Sequence, residues 1–387
     1  MILGAGVYQV PLIEAAKKMG LYTIVCSICG KYPGFDIADR SYYIDTTNKE
    51  EILAIAKSEG IAGVCTSGTD VAIPTIGYVC DKLKLNGISY KDSINATNKM
   101  YMKKCFVDNG INTARYCVVK NLEELESSFI KLNVEKAVVK IVDKSGSRGI
   151  MAIDKNSNFK DIFDNVMSQT KEKYILLEEF VDGVEIGVDF FVSDGKIILF
   201  CPHEKLVHKI NGIGIPAGHI LPYDSSNIVL NNILEQSQKI VFAYNVKNGA
   251  INVDAFVKST GEVFVIEAGA RSGASGIPEI ISINKNIDYY KCIIKASLGE
   301  KIELKNLQNN ACASLLIFSD KEGIYSSCTN NVINNISVNM DINKGQYVNK
   351  VQNGTDRIGM AIIRGNSRQE IVNKIKLFYD NFKIVIE

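Results

Sequence analysis

Two acidic residues in the middle of the chain, Asp254 and Glu267, are of a type and at a spacing that can hold a divalent metal ion. They lie in two apolar runs, INVDAF at 251–256 and VFVIEAG at 263–269, which are joined by the turn KSTGE. If the runs pair as a β-hairpin, both carboxylates can project from one face. Carboxylate oxygens suit Mg²⁺, or Mn²⁺ in its place, and two of them can hold the ion against a triphosphate. The alternative is a salt bridge to a lysine or arginine, which would also make these charges tolerable among apolar neighbours.

Lys140 stands at the end of the apolar strand AVVK, and a loop of small residues follows it. An ammonium group on a buried strand is costly unless it faces an anion. The loop offers hydroxyls, backbone N–H donors and a guanidinium, which are the ingredients of a phosphate cradle. Its candidate residues are Ser145, Gly146, Ser147, Arg148 and Gly149. The loop lacks the Lys-Ser/Thr that follows the last glycine of a Walker A loop, and an exposed turn beside a lysine is the alternative.

The acidic segment YILLEEFVDGVEIGVD comes next. Glu178 and Glu179 precede an apolar pair, Phe180 and Val181, and Glu185 follows shortly after. An apolar pair between acids suits an adenine slot, in which backbone groups contact the edge of the base and a carboxylate holds the ribose hydroxyls. A solvated acidic turn between two strands explains the same pattern, and the segment alone does not decide between them.

The glycine-rich segment AGARSGASG places Arg271, Ser272 and Gly273 directly after the strand that carries Glu267. A guanidinium can bind a carboxylate or an acyl phosphate by two parallel hydrogen bonds. Arg271 is therefore a candidate catalytic residue, and its two neighbours are candidates for substrate contact. His219, in PAGHILP, is a candidate for the lining of the substrate pocket.

Two further features are interpreted as structural. His203 and His208, in PHEKLVHK, form no zinc-site spacing with the third histidine of the chain. The GAG at 4–6 follows the first apolar run, but Gln9 stands where a dinucleotide-binding loop has its third glycine. A tight turn between a strand and a helix is favoured there over a nicotinamide-dinucleotide site.

The elements that must position these residues begin with an alternation of strands and helices over residues 1–95. MILGAG, YTIVCS and AGVCTSG are predicted strands, and VPLIEAAKKMG and EEILAIAKSEG are predicted helices closed by glycine. The alternation predicts parallel βαβ units in an open, doubly wound sheet. Residues 186–220 are predicted as antiparallel strands, with SDGK at 193–196 as a hairpin turn. After about residue 305, two apolar runs and the closing helix RQEIVNKIKLFYD predict a small α+β unit.

The composition is that of an ordinary globular protein, with 387 residues, 46% hydrophobic and 22% charged, and a formal net charge of +1. Such a length predicts two or three folded units. The charge balance gives no reason to expect nucleic acid or an anionic membrane as a partner. No apolar run is long enough to span a bilayer and the N-terminus lacks the layout of a signal peptide, so we expect a cytoplasmic protein. The ten cysteines, including a lone CxxC at 26–29, suit reduced thiols better than a disulfide framework.

Taken together, the lysine strand, the small-residue loop, the acidic segment and the two acidic strands resemble the ATP-grasp superfamily of carboxylate–amine ligases. The resemblance is to the branches of amino-acid ligases and carbamoyl phosphate synthases. It implies a mixed α/β and α+β fold, with an open parallel-sheet (pre-ATP-grasp) domain at 1–95 and an ATP-grasp domain at 96–305. The lid of the latter would lie at about 115–185 and its catalytic part at about 186–305. Residues 306–387 would form the small α+β C-terminal unit.

The resemblance also implies roles for residues. Lys99 and Lys140 would hold the phosphates of ATP, with the 145–149 loop closing over them. The hinge residues, together with Glu185, would bind adenine and ribose, and Asp254 and Glu267 would ligate Mg²⁺; the hinge is Glu178, Glu179, Phe180 and Val181. Lys140, Arg148 and Arg271 would neutralise developing charge. The sequence departs from the family at Gly269, where an Asn is usual, and Asn252, two residues before Asp254, could replace that ligand.

The implied reaction joins a small carboxylate, expected to be an amino acid, to an amine through an acyl phosphate, with release of ADP and phosphate. A purine-biosynthesis or carbamoyl-phosphate type of enzyme, acting through carboxyphosphate, is the alternative within the family. Because of Gly269, a catalytically weak ATP-binding sensor or partner module is the alternative of another class. The expected partners are the two small-molecule substrates, and a homodimer is expected from the family.

Overall fold

The N-terminal part forms a parallel three-stranded sheet in the order β1-β2-β3. The computed structural model describes residues 1–143, 149–210, 213–329 and 335–387. The strands of this first sheet are β1 (Ile2–Leu3), β2 (Ile24–Ser27) and β3 (Arg40–Tyr43). The helices around it are α1 (Val10–Lys18), α2 (Gly34–Ile37), α3 (Lys49–Ser58), α4 (Ile73–Leu83) and α5 (Tyr90–Asn95).

The third strand of this sheet is not the predicted one. Among the described residues, AGVCTSG joins the sheet through a single parallel bridge between Cys65 and Ile2. The Thr66 hydroxyl donates to the backbone oxygen of Leu3 at 2.6 Å, so a side chain satisfies part of the strand edge. The third strand is β3, whose sequence RSYY has no apolar run and is only partly buried. Its polar composition is the reason that the hydrophobic pattern did not reveal it.

An antiparallel four-stranded sheet follows, in the order β4-β7-β5-β6. Two helices, α7 and α8, pack on it through apolar residues such as Phe129 and Val166. The elements of this part are α6 (Lys99–Asp108), β4 (Tyr116–Val119), α7 (Leu122–Leu132), β5 (Lys136–Lys140), β6 (Ile150–Asp154), α8 (Phe159–Ser168) and β7 (Ile175–Glu179). Asn98, Asn121 and Asn158 cap the three helices, each accepting from a backbone N–H in the first turn.

The largest sheet has eight strands in the order β12-β11-β8-β9-β10-β13-β17-β15. Its elements before residue 300 are β8 (Val184–Ser193), β9 (Lys196–Ile210), β10 (Ile213–Leu221), α9 (Asn227–Ala243), β11 (Gly249–Val257), β12 (Val263–Gly269), α10 (Ile277–Lys285) and α11 (Tyr289–Leu298). The predicted hairpin joins β8 to β9, and Asp194 (φ 51°) and Gly195 (φ 73°) both have the positive φ of a type I′ turn. Helices α6 and α9 cover one face of this sheet, and α1, α10 and α11 cover the other.

The C-terminal residues form a small sheet of their own and also extend the eight-stranded sheet. The remaining elements are β13 (Ala311–Ile317), β14 (Gly323–Thr329), β15 (Ile336–Met340), β16 (Tyr347–Val348), a short 3₁₀ helix (Gly354–Asp356), β17 (Gly359–Gly365), α12 (Arg368–Asn381) and β18 (Lys383–Ile386). Three of the strands, β13, β15 and β17, extend the eight-stranded sheet, while β16-β14-β18 form a small separate sheet. The mixed architecture and the parallel N-terminal sheet confirm the predicted fold class. Within the described residues, no helix is both long enough and apolar enough to cross a membrane.

Candidate active site

A cavity of about 310 Å³ lies between the four-stranded sheet, the eight-stranded sheet and the loops that follow the N-terminal strands. Ten of its described lining residues are acidic or basic. Its acidic lining residues are Asp70, Glu178, Glu185, Asp254 and Glu267, and its basic ones are Lys99, Lys103, Lys140, Lys205 and Arg271. His219, Asn252, Tyr8 and Thr355 also line it. Eight of the candidate site residues from the sequence are therefore brought to one place: Lys99, Lys140, Glu178, Glu185, His219, Asp254, Glu267 and Arg271.

Asp254 and Glu267 lie directly opposite each other in the β11–β12 hairpin. Each carboxylate also has a lysine beside it. Lys205 Nζ lies 3.0 Å from Asp254 Oδ2 and 2.6 Å from Glu185 Oε1, and Lys99 Nζ lies 3.8 Å from Glu267 Oε2. Burial alone would lower the pKa of Lys205, but the attraction of Asp254 and Glu185 outweighs it and raises that pKa. The hairpin pairing that a metal site would require is thus present. The salt bridges to lysine, which were the alternative explanation, are present as well.

Glu178 is enclosed by two ammonium groups. Lys103 Nζ and Lys140 Nζ each lie 3.0 Å from Glu178 Oε2, and the three side chains are 2%, 12% and 4% exposed in that order. Burial acts to raise the pKa of the Glu178 carboxyl, but Lys140 and Lys103 together lower it. Burial lowers the pKa of Lys103. The cluster is two positive charges against one negative charge, so it carries an excess of positive charge next to the cavity.

The other hinge residues lie beside this cluster. Glu179 pairs with Arg115 through Oε2 and Nε at 2.6 Å, at the edge of the sheet. Phe180 is 46% exposed and Val181 is buried. Glu178 and Glu179 belong to β7 and Glu185 to β8, so only the residues between these strands form a turn. The segment is neither a fully solvated acidic turn nor an isolated apolar slot.

Arg271 is held by a carboxylate that the sequence analysis did not identify. Its Nε and Nη2 donate to the two oxygens of Asp70, both at 2.8 Å, and its Nη1 donates to Asn252 Oδ1 at 2.8 Å. Burial alone would lower the pKa of Arg271, but Asp70 raises it further above its ordinary value. A Cβ added at Gly269 would lie 2.6 Å from Asp70 Oδ1. The missing Asn therefore corresponds to space that the Asp70–Arg271 pair occupies.

The remaining substrate candidates differ in position. His219 is 4% exposed and lines the cavity. Ser272 is buried, and the Gly273 N–H donates to Asp189 Oδ1 at 2.8 Å, beneath the cavity rather than in its described lining. His203, which was interpreted as structural, is fully buried and hydrogen-bonded to both Asp189 and His219.

Four residues of the predicted phosphate loop, Ser145, Gly146, Ser147 and Arg148, lie outside the described residues. Gly149 is described and has φ +65°. A Cβ added there would lie 2.3 Å from Ile141 Cδ1, so the position requires glycine for both reasons.

Sequence reasoning missed Lys103, Lys205, Asp189 and Asp70. Two of them had a local signal. Lys103 lies four residues after Lys99, on the same face of α6, and Lys205 lies two residues after a histidine on the same face of β9. Asp70 had none, because 201 residues separate it from Arg271.

The residues present fit a metal ion that is shared with a bound phosphate chain. Within the described ranges, no group of three or more His, Cys, Asp and Glu side chains is arranged to hold a metal ion. Asp254 and Glu267 supply two carboxylates on one hairpin face. Asn252 is already engaged, since its Nδ2 donates to Asp189 and its Oδ1 accepts from Arg271. The remaining ligands of such an ion would have to come from a substrate.

Known proteins resemble this chain in sequence and in fold. A family model described as the phosphoribosylglycinamide synthetase ATP-grasp (A) domain matches residues 97–258. The carbamoyl phosphate synthase large chain of Thermoanaerobacter pseudethanolicus is 28% identical over 278 residues, which cover 70% of this chain and 25% of that one. The L-arginine-specific L-amino acid ligase of Bacillus subtilis is 23% identical over 270 residues, 67% of this chain and 65% of that one. The chain thus spans less than two thirds of each of these relatives.

A solved structure resembles the whole chain. The crystal structure of phosphoribosylglycinamide synthetase from Anaerococcus prevotii has a TM-score of 0.84 and 29% sequence identity, and the match covers 100% of this chain and 98% of that one.

Proposed function

We propose that this chain, which belongs to the ATP-grasp superfamily, is an ATP-dependent carboxylate–amine ligase. Its substrates would be an amino acid or a similar small carboxylate, and an amine. Its products would be the amide, ADP and phosphate. One observation carries the proposal: a single cavity collects two lysines of α6, one lysine of β5, two hairpin carboxylates and a buried guanidinium.

We assign the phosphates of ATP to Lys99, Lys103 and Lys140. Lys103 and Lys140 share one carboxylate, so the excess positive charge of the cluster favours an anion beside it. We assign the adenine to the Glu178–Val181 hinge and the ribose to Glu185, whose carboxylate lies at the start of β8.

Asp254 and Glu267 would hold Mg²⁺ or Mn²⁺ together with phosphate oxygens. When bound, the ion would neutralise charge on the phosphate chain. Lys205 and Lys99, which pair with these carboxylates, would have to move toward other anions as the ion enters.

The proposed reaction has two steps, and the protein contributes mainly position and charge. First, a substrate carboxylate oxygen bonds to the γ-phosphorus and the bond to the β–γ bridging oxygen breaks, giving an acyl phosphate and ADP. Second, the amine nitrogen bonds to the acyl carbon, the carbon–oxygen bond to phosphate breaks, and phosphate leaves. Arg271, whose Nε and Nη2 are held by Asp70, is assigned to neutralise charge on the carboxylate and then on the acyl phosphate, not to bind them by two parallel hydrogen bonds.

The similarity to the carbamoyl phosphate synthase large chain favours a second candidate. In this version the carboxylate is bicarbonate and the intermediate is carboxyphosphate. The same residues would serve, because both intermediates are mixed anhydrides of a carboxylic acid and phosphate.

The test is release of ADP from Mg-ATP in the presence of single and paired amino acids, with bicarbonate as a separate arm. We expect ADP with a particular carboxylate–amine pair, and a fall of at least about 100-fold in the Glu267→Gln variant, the order of loss when one preorganised electrostatic group is removed. Glu262→Gln is the matched control, because Glu262 lies in the turn of the same hairpin and is exposed.

ADP release that requires bicarbonate would support the second candidate. Tight ATP binding without ADP release in any arm would instead contradict both and favour the non-catalytic module.

A further inference from the structure

Three buried side chains form a hydrogen-bonded chain that ends at the cavity. His203 Nε2 lies 3.1 Å from Asp189 Oδ2, and His203 Nδ1 lies 3.1 Å from His219 Nδ1. Asp189 and His203 are fully buried, and His219 lines the cavity. The two rings meet edge to face, with centroids 4.7 Å apart. None of the functions assigned above uses Asp189 or His203.

The direction of the hydrogen bonds among these three side chains follows from Asp189, which lies at the buried end of the series. The Gly273 N–H donates to Asp189 Oδ1 at 2.8 Å and Asn252 Nδ2 donates to Asp189 Oδ2 at 2.8 Å, so both oxygens of this carboxylate act as acceptors. His203 Nε2 must then carry the hydrogen that it donates to Asp189. In a neutral ring the other nitrogen, Nδ1, is an acceptor, and it can accept only from His219 Nδ1.

The consequence is a fixed tautomer at the cavity. If His219 carries its hydrogen on Nδ1, its Nε2 holds a lone pair. Burial is the largest cause that lowers the pKa of His219 well below its ordinary value, so the ring is neutral near pH 7. Lys205 on β9 and Ser314 on β13 lie opposite His219 in the two flanking strands, and Lys205 is in turn paired with Glu185 and Asp254.

We propose that His219 is the base that accepts a proton from the attacking amine in the second half-reaction, and that His203 and Asp189 are positioning residues that keep its Nε2 unprotonated. The inference rests on the proposed ligase function. As the amine nitrogen bonds to the acyl carbon and phosphate leaves with the electron pair of the breaking bond, the nitrogen loses one proton to His219 Nε2. No oxidant, reductant or further reactant is required.

The three hydrogen-bonded side chains can also move the positive charge of the accepted proton away from the cavity. When His219 takes a proton on Nε2, its Nδ1 hydrogen can pass to His203 Nδ1. The positive charge then lies on His203, beside the Asp189 carboxylate. A buried carboxylate that orients a histidine and stabilises its cation is a known way to support such a base.

The tautomer can be tested without any substrate. The chain has three histidines, so ¹⁵N-labelled protein gives few imidazole signals, and the variants His203→Gln, His208→Asn and His219→Asn assign them. We expect His219 as the Nδ1–H form and His203 as the Nε2–H form at neutral pH. Detection of His219 in the Nε2–H form would overturn the proposal.

Asp189→Asn is the most informative variant, because it replaces an accepting carboxylate oxygen by a donating NH₂ group with little change in side-chain volume. Since the Gly273 N–H holds the amide oxygen, the new NH₂ would replace Oδ2; it would lose the hydrogen bond that Asn252 Nδ2 donates there, and it can donate to His203 Nε2. The hydrogens along the chain would then reverse, and His219 should appear as the Nε2–H form. Thermal unfolding checks that the variant is folded.

The kinetic test separates the two half-reactions. The probe is Mg-ATP with a mixture of the standard amino acids, with and without hydroxylamine. Hydroxylamine is largely unprotonated at neutral pH and traps an acyl phosphate as a hydroxamate without needing a base. We expect His219→Asn and Asp189→Asn to retain hydroxamate formation while amide formation falls by about 10²–10⁴-fold, as for loss of a general base. His208→Asn should change neither rate, because His208 is exposed.

The outcomes distinguish the two proposals. A wild-type protein that forms no hydroxamate with any standard amino acid would overturn the amino-acid ligase function itself. Hydroxamate in the wild type, together with unchanged amide formation in folded His219→Asn, would leave the ligase function standing and overturn the role of His219. An equal fall of both rates in the variants would also overturn it, since that pattern indicates general damage to the cavity.

Discussion

Glu178 shows how one buried residue can decide the charge of its surroundings. It is the carboxylate partner of both Lys103 and Lys140, and all three side chains are largely buried. Removing one member of a buried ionic group leaves uncompensated charge in a low-dielectric environment, which costs more than the group itself contributes. Glu178 should therefore matter for stability as well as for nucleotide binding.

We expect Glu178→Gln to lower the free energy of unfolding by about 3–5 kcal/mol at pH 7, because two buried ammonium groups would lose their carboxylate. The folded-state pKa of Glu178 is lowered. A group with a lowered pKa contributes stability above its unfolded value, about 4.3 for Glu, and that contribution is lost as the pH falls through the folded pKa. The difference between wild type and variant should accordingly shrink at acidic pH, as measured by urea denaturation over a pH series.

The neighbouring Glu179→Gln is the control for this prediction. Glu179 pairs with an exposed arginine, whose side chain is 59% exposed, so its loss should cost no more than about 1 kcal/mol. A pH-independent difference for Glu178→Gln would contradict the assigned charge state.

Two β-hairpins position several of the ionisable side chains in and beside the cavity. The β8–β9 hairpin carries Glu185 and Asp189 on one strand and His203 and Lys205 on the other. The β11–β12 hairpin sets Asp254 opposite Glu267. Because alternate residues of a strand point to opposite faces, a shift of one residue in either register would remove these side chains from the cavity.

The turn of the β8–β9 hairpin is therefore expected to be sensitive to substitution. Gly195 has φ +73° and nothing within 4 Å of its added Cβ, so Gly195→Ala tests the backbone alone. We expect a loss of about 1–2 kcal/mol in chemical denaturation, the cost of a left-handed conformation for a residue with a Cβ. Gly354→Ala is the matched control, since no atom lies near its added Cβ and its φ is not positive. Equal effects of the two variants would refute the turn argument.

The sequence was sufficient where the signal is local. The SDGK turn, the helices at 10–18 and 49–58, and the pairing of Asp254 with Glu267 follow from periodicity, turn chemistry and the length of the connecting segment. It was insufficient for β3, whose residues are polar, and for the Asp70–Arg271 pair, which depends on how distant parts of the chain pack. The His203–His219 contact also arises between strands, and its two residues were interpreted separately.

The C-terminal residues are part of the framework of the cavity. Strand β13 pairs with β10, which carries His219, and the apolar core between α12 and the sheet includes Leu315, Ile363 and Phe378. The N-terminal part contributes Asp70, and Tyr8 packs under the guanidinium of Arg357 at 4.5 Å. The cavity thus depends on residues from both ends of the chain.

We expect a chain truncated after residue 305 to be insoluble or unfolded. It would lose β13, β15 and β17, expose the long edge of β10, and lose an apolar core. Truncation after residue 382 is the control, because it removes only β18, which pairs with β14 in the small sheet. Size-exclusion chromatography and circular dichroism of both chains provide the measurement, and a monodisperse, folded 1–305 protein would contradict the prediction.

The lysines that pair with Asp254 and Glu267 have a consequence for the order of binding. Lys205 and Lys99 act as built-in counter-ions, so the five acidic and five basic residues among the described lining of the cavity balance in charge. A divalent cation alone must displace an ammonium group and receives only two carboxylates in return. A nucleotide that arrives with the cation offers its phosphates to the displaced lysines, so the exchange of partners can be completed on both sides. If the proposed function holds, loading of this cavity would be an ion exchange, in which the nucleotide and its metal enter as one unit.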